Sequence, residues 1–201
     1  MITMKKVILI MAVALSAATV SAQGLKFGVT AGLNLSTFSG DGTDDLKFTP
    51  GFQAGVVVDY ALTESFSIAP ELLFAQRGAK EERNGGSQTM TLNYLQLPIN
   101  ATYKLALGDS KLLVFAGPYV GYGLSGTAKW EGGGESGSND IKFGSDEMFK
   151  ALDFGLNIGA GYQIGSIYAK VQYNLGLANI SNDDDDSLKN GNIGISVGYL
   201  F

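Results

Sequence analysis

Through the last ten residues, one apolar side chain alternates with one small or polar neighbour, and the series closes on an aromatic. Ile193, Ile195, Val197, Tyr199 and Phe201 form the apolar series, set against Asn192, Gly194, Ser196, Gly198 and the exception Leu200. A period of two is the signature of a β-strand whose two faces meet different surroundings. The same alternation recurs upstream at residues 25–36, 52–62, 66–77, 95–104, 112–124, 152–164 and 167–175. With the closing segment this predicts about eight strands, an even number and the smallest for a bacterial membrane barrel.

The connections alternate in length. Residues 62–65, 107–110 and 164–166 are tight turns, whereas 39–49, 78–89, 125–148 and 179–191 are long and polar. Short turns at one end and long loops at the other fit a closed antiparallel transmembrane β-barrel with its short side periplasmic. The longest loop, around Trp130 and Gly132-Gly133-Gly134, is expected to be mobile. Met90, Leu92 and Tyr94 break the parity of the segment they lead into, which predicts a bulge or a strand start above the membrane. Pro70, Pro98 and Pro118 fall inside strand patterns, so each should sit at a bulge or a locally unpaired position. The competing architecture is a soluble lipocalin-type barrel, which turns its apolar face inward around a ligand. Here the face opposite the apolar one holds Gly, Asn, Gln, Lys, Asp and Glu, which suits a polar lumen.

The amino end reads as an export leader. Lys5 and Lys6 precede the apolar run 7–15, and Val20-Ser21-Ala22 is a small-residue cleavage site, predicting a signal peptide over 1–22 and a barrel domain over 23–201. The apolar run is shorter than the roughly 20 residues of a transmembrane helix, which argues against an uncleaved anchor. Without the leader's two lysines the net charge falls from −5 to −7, so nucleic acid is not an expected partner. The chain has no cysteine and no histidine, which removes thiolate nucleophiles, disulfides and the commonest general base and metal ligand. A mean hydropathy of +0.13 is low for a helical membrane protein and suits a barrel, which shows lipid only half of each strand. The aromatic-ended closing strand resembles the sorting signal read by the bacterial barrel-assembly machinery. Ile193, Ile195, Val197, Tyr199 and Phe201 are therefore the expected assembly signal.

Several stretches carry a wider resemblance: Pro70-Glu71-Leu72-Leu73-Phe74 running to Gln76-Arg77-Gly78, Leu95-Gln96-Leu97-Pro98, and Ala116-Gly117-Pro118-Tyr119. Asp153-Phe154-Gly155, Gly159-Ala160-Gly161-Tyr162, Tyr173-Asn174-Leu175-Gly176-Leu177 and Val197-Gly198-Tyr199-Leu200-Phe201 complete the set. Together they resemble the PorT-like outer-membrane β-barrel family of Bacteroidota across the whole mature chain. The resemblance implies the barrel fold and the outer membrane, and one branch of that family serves a secretion system.

Few motifs carry chemistry. Gly121-Tyr122-Gly123-Leu124-Ser125-Gly126 matches the dinucleotide pattern G-x-G-x-x-G, but no helical pattern follows, so strand glycines account for it. Asp183 to Asp186 is an acidic run without EF-hand spacing, read as a solvated loop tip, with a divalent-cation site as the alternative. The sequons at Asn34, Asn100 and Asn179 are chance matches in a bacterial barrel. Lys26, Asp59, Glu71, Arg77, Lys104, Asp153 and Lys170 share the lumenal parity with both signs in near balance. They are expected to pack the lumen as an ion network, since buried charges persist when paired. An acid/base pair or a selectivity ring is the functional alternative. Trp130, the one tryptophan, is the candidate contact residue of the longest loop.

The expectation is a monomeric barrel without catalytic activity or cofactor, meeting outer-membrane lipids and, during biogenesis, the assembly machinery. Its role would be structural or interactive through extracellular loops of unknown ligand. A secretion or biogenesis component, or a barrel enzyme acting on lipid or peptide, are the alternatives.

Overall fold

The computed structural model describes residues 24–43, 45–83, 85–145, 147–183 and 186–201; the expected leader at 1–22 lies outside them. The described residues form ten strands: β1 (Leu25–Gly40), β2 (Leu46–Lys47), β3 (Thr49–Ala61), β4 (Phe66–Arg83), β5 (Gly86–Leu107), β6 (Ser110–Gly132), β7 (Glu135–Ile141), β8 (Leu152–Ile164), β9 (Ile167–Gly176) and β10 (Leu188–Leu200). Eight of them close an antiparallel ring in the order β1, β3, β4, β5, β6, β8, β9, β10. The seam joins the first and last strands, from Gly28 opposite Leu200 to Gly40 opposite Leu188. β2 and β7 stand outside the ring, on β4 and β6.

Facing decides between the two barrel types. On β9, Ile167, Ala169, Val171, Tyr173 and Leu175 are exposed, while Tyr168, Lys170, Gln172 and Asn174 are buried. Elsewhere Leu33 is 71% and Ile195 63% exposed, against 1% for Asn34 and 2% for Ser196. Apolar side chains out and amides in is the reverse of a lipocalin, and it places the apolar band against lipid. Outward Tyr60, Phe66, Tyr103, Tyr162 and Tyr199 gather at the short-turn end, and Phe52, Tyr122, Phe154 and Tyr173 toward the other, as interfacial girdles do.

Inside, large rings occupy space that glycines leave. A Cβ on Gly198 would lie 2.2 Å from the ring of Tyr168, its direct cross-strand partner, and one on Gly159 2.4 Å from the ring of Phe115. The three prolines cause no register shift. Beside each the ladder lapses, at 58–59 opposite 69–70, at 71–72 opposite 97–98, and at 99–100 opposite 117–118. The lapses lie on neighbouring strands and form one short diagonal in the wall.

Met90, Leu92 and Tyr94 lie where β5 starts above the ring, the second of the two readings expected for them; they keep the inward parity of Gln96 and Asn100, and the register shifts between Asn93 and Tyr94, leaving Leu124 of β6 unmatched. The expected loops need correction. The stretch 125–148 is not one loop. β6 continues to Gly132, Gly133 and Gly134 form a two-residue turn at φ of 62° and 85°, and β7 returns along β6. Two successive positive φ values make a type I′ hairpin, which suits the right-handed twist of its strands. β4 and β5 likewise run on as a hairpin above the ring, pairing up to Arg83 opposite Gly86. The result is a raised sheet in the order β2, β4, β5, β6, β7 on one side of the long-loop rim.

Candidate functional site

The inward charges sit at three heights. Nearest the short turns, Lys104 pairs with Asp59, their side chains 10% and 9% exposed. Midway, Lys170 pairs with Glu71, both buried, and its ammonium lies 5.5 Å from the centre of the Phe115 ring. Higher up, Arg77 donates to Gln96 Oε1 at 2.6 Å, and Asp153 accepts from Tyr119 Oη at 3.2 Å and Asn190 Nδ2 at 3.0 Å. Arg77 and Asp153 are within Coulombic reach of each other, each hydrogen-bonded to its own neutral neighbours. Each height is neutral as a unit, which is what buried charge requires.

Between the upper two heights runs a belt of asparagines. Asn192 Nδ2 donates to Asn174 Oδ1 at 2.9 Å and to Asn34 Oδ1 at 3.4 Å, Asn174 donates to Asn157, and Asn157 donates to Asn100 Oδ1 at 3.4 Å. Asn100 then reaches Glu71 Oε1 at 3.5 Å, joining the belt to the middle ion pair. The belt draws on five strands, passes over β6, and includes the seam. An asparagine both donates and accepts, so one residue type can pass a hydrogen bond around a closed wall. The inward parity of Asn34, Asn100, Asn157, Asn174 and Asn192 was the signal; attention to charge alone passes over it.

Apolar clusters close both ends. Val57, Leu113, Tyr168 and Leu200 pack together toward the short turns. At the long-loop end Phe38, Ala79, Leu92, Tyr94, Phe149 and Ile180 form a buried plug, joined by Met90, Ile141, Phe143 and Leu188. The lumen keeps a cavity of about 50 Å³ beside Glu71 and Lys170, room for only a few waters. The loops that supply the plug are tied down. Asn182 Nδ2 donates to Gly144 O at 2.6 Å and Glu147 O at 2.7 Å, and Asn179 Oδ1 accepts from the amides of Ser181 and Leu188. Above the plug lies a vestibule of about 230 Å³.

The remaining candidates fall elsewhere. Lys26 is a correction to the lumenal set: it is exposed at the lower rim, because β1 has not yet entered the covered part of the ring and Lys104 occupies the carboxylate of Asp59 opposite. Trp130 is 42% exposed and stacks over Gly137 of β7, so it belongs to a hairpin rather than a free loop. Ile193, Ile195, Val197, Tyr199 and Phe201 all face outward, with the Tyr199 and Phe201 rings 5.6 Å apart. Gly121 and Gly123 face into the lumen from β6, with no helix after them. Of the acidic run, Asp184 and Asp185 lie outside the described residues; among the described residues no group of three acidic ligands gathers. On the outer face of the raised sheet, Glu82 pairs with Lys47 of β2 and Lys80 of β4, which hold its carboxyl down to about 2.

The sequence profile of the family described as outer membrane protein beta-barrel domain matches residues 20–182. No curated protein sequence matches the chain. Among solved structures, Ail of Yersinia pestis is 18% identical, over 90% of this chain and 100% of its own, at a TM-score of 0.46. Neisserial surface protein A is 14% identical over 89% of this chain and 100% of its own, at 0.49.

Proposed function

The chain belongs to the outer membrane protein beta-barrel domain family, and from that membership we propose a non-conducting, non-catalytic barrel of the outer membrane that acts through its extracellular face. The observation that carries this reading is the lumen. Ion pairs, the asparagine belt and two apolar clusters lie across it in successive layers, leaving a cavity of only about 50 Å³ beside Glu71 and Lys170. A pore needs a continuous wet path, and a catalyst needs reactive groups open to substrate. The extracellular end, by contrast, carries a raised sheet and a vestibule beyond anything the ring requires.

Within the family, the stretches from Pro70 to Gly78, Leu95 to Pro98 and Ala116 to Tyr119 favour a PorT-like member of Bacteroidota, exported by a leader cleaved before Gln23 and working as a monomer. Its partners on this reading are outer-membrane lipids along the apolar band and the assembly machinery at the closing strand. Purified protein in a planar bilayer should pass no steady current. Reproducible porin-sized steps would overturn the reading.

A further inference from the structure

The extracellular vestibule combines two features that seldom share a surface cavity. Its floor is the top of the plug, where Leu46, Met90 and Leu188 are half-buried over the fully buried Phe38, Ala79 and Phe149. Met148 stands at its lip, 65% exposed. Its rim carries three carboxylates, Asp41, Glu81 and Asp186, and no lysine or arginine among the described residues that line it. Asp41 is held in place by the amide of Ser187, which donates to its Oδ2 at 3.0 Å, and the loop bearing Asp186 is fixed by Asn179 Nδ2 on Asp186 O at 2.8 Å. Neither Asp41 nor Asp186 has an ion-pair partner among the described residues.

We propose that this vestibule is a binding site for a small amphipathic cation, a primary ammonium on an aromatic or branched apolar body. The body rests on Leu46, Met90 and Leu188, and the ammonium meets Asp41 and Asp186. Complementarity excludes the alternatives. An anion meets the like charges of Asp41 and Asp186, a bare metal ion leaves the apolar floor wet, and a neutral apolar molecule gains nothing from the rim. A charge beside a low-dielectric floor is felt more strongly than one on an open surface. The plug beneath makes the site a dead end, a receptor pocket rather than a channel entrance. The proposal deepens the reading of an extracellular interaction face and rests on it for which side of the membrane the mouth faces.

The test uses the barrel in lipid nanodiscs, where both mouths are open to solvent, with carbon-13 at the methionine methyls. Met90 and Met148 line the vestibule and report occupancy. Titration with 2-phenylethylammonium should shift both resonances saturably. The neutral isostere 2-phenylethanol should bind at least tenfold more weakly, and phenylacetate should leave both resonances unmoved. The double variant Asp41→Asn, Asp186→Asn keeps the acceptor for Ser187 and removes both charges, so it should fold normally and bind the ammonium at least tenfold more weakly. Equal binding of the three probes, undiminished binding by the double variant, or no saturable shift overturns the proposal. Because the titration is independent of conductance, its failure leaves the sealed barrel standing, and a bilayer current would leave a positive titration standing.

Discussion

Individual residues show how little of the interior is optional. Lys170 and Glu71 sit in the middle of the lumen with side chains 5% and 4% exposed. Removing one partner leaves a buried charge uncompensated, so Lys170→Met should lower the unfolding free energy by about 3–5 kcal/mol. Adding Glu71→Gln should recover most of that loss, because no bare charge remains and the glutamine still accepts from Asn100. Denaturant midpoints of the refolded barrel measure both, and a double variant no better than the single would mean the ion pair is not the source. The inward position of Glu71, Arg77 and Lys170 was legible from parity alone. Who pairs with whom was not, because period two fixes a face and leaves height unknown until register is set. Lys26 shows the same limit: it has the right parity and lies too near the end of its strand to be covered.

At the scale of elements, the eight ring strands were legible and the raised sheet was not. Ring strands face lipid on one side and a polar lumen on the other, so their sequence must alternate. Beyond the plug both faces of the β4 to β7 tips meet water, the demand disappears, and 78–89 and 125–148 read as loops. Turn chemistry was the remaining signal: Asn84-Gly85 and Gly133-Gly134 are dipeptides of the type I′ hairpin. Three predictions belong here. Trimming the β6–β7 hairpin to a short turn between Ala128 and Asn139 should leave a heat-resistant barrel on gels. Phe143→Ala, which takes a ring from against Tyr94 and Phe149, should cost about 3–5 kcal/mol in denaturant unfolding. The reverse ranking would mean that the hairpin, not the plug, stabilises the extracellular end. β2 depends on Glu82, whose folded pKa near 2 lies below the usual unfolded value of about 4.3. Its contribution is complete above the unfolded value and is lost as pH falls through about 2. Hydrogen exchange at Leu46 and Lys47 should therefore stay slow down to about pH 4 and quicken as pH approaches 2.

For the whole molecule, closure is a matter of chain ends. The seam pairs residues near opposite ends of the chain, the costliest contact order available, so the ring closes only after β10 is in place. Phe201 donates its backbone amide to Phe27 O at 2.7 Å across that seam and presents its ring to lipid beside Tyr199. Deleting Phe201 should lower the amount of folded barrel in the outer membrane while export continues. Heat-shifted mobility in membrane fractions measures it, and unchanged assembly would remove Phe201 from the expected signal. That the fold could be anticipated as a whole, while the asparagine belt and the plug could not, has one cause. Alternation is written locally along each strand, whereas the belt and the plug exist only once distant strands share a level.

The ring is also lopsided. β5 is twelve residues longer than β9, and at about 3.3 Å per residue and a tilt near 40° its tip stands on the order of 30 Å above the end of β9. A cylinder of even height looks the same from every direction in the plane of the membrane; this one has a windward and a leeward side. A neighbour drifting along the surface is stopped by the tall wall or passes over the low one, depending on its bearing. Rotation about the membrane normal thus becomes a variable that decides which encounters end in contact.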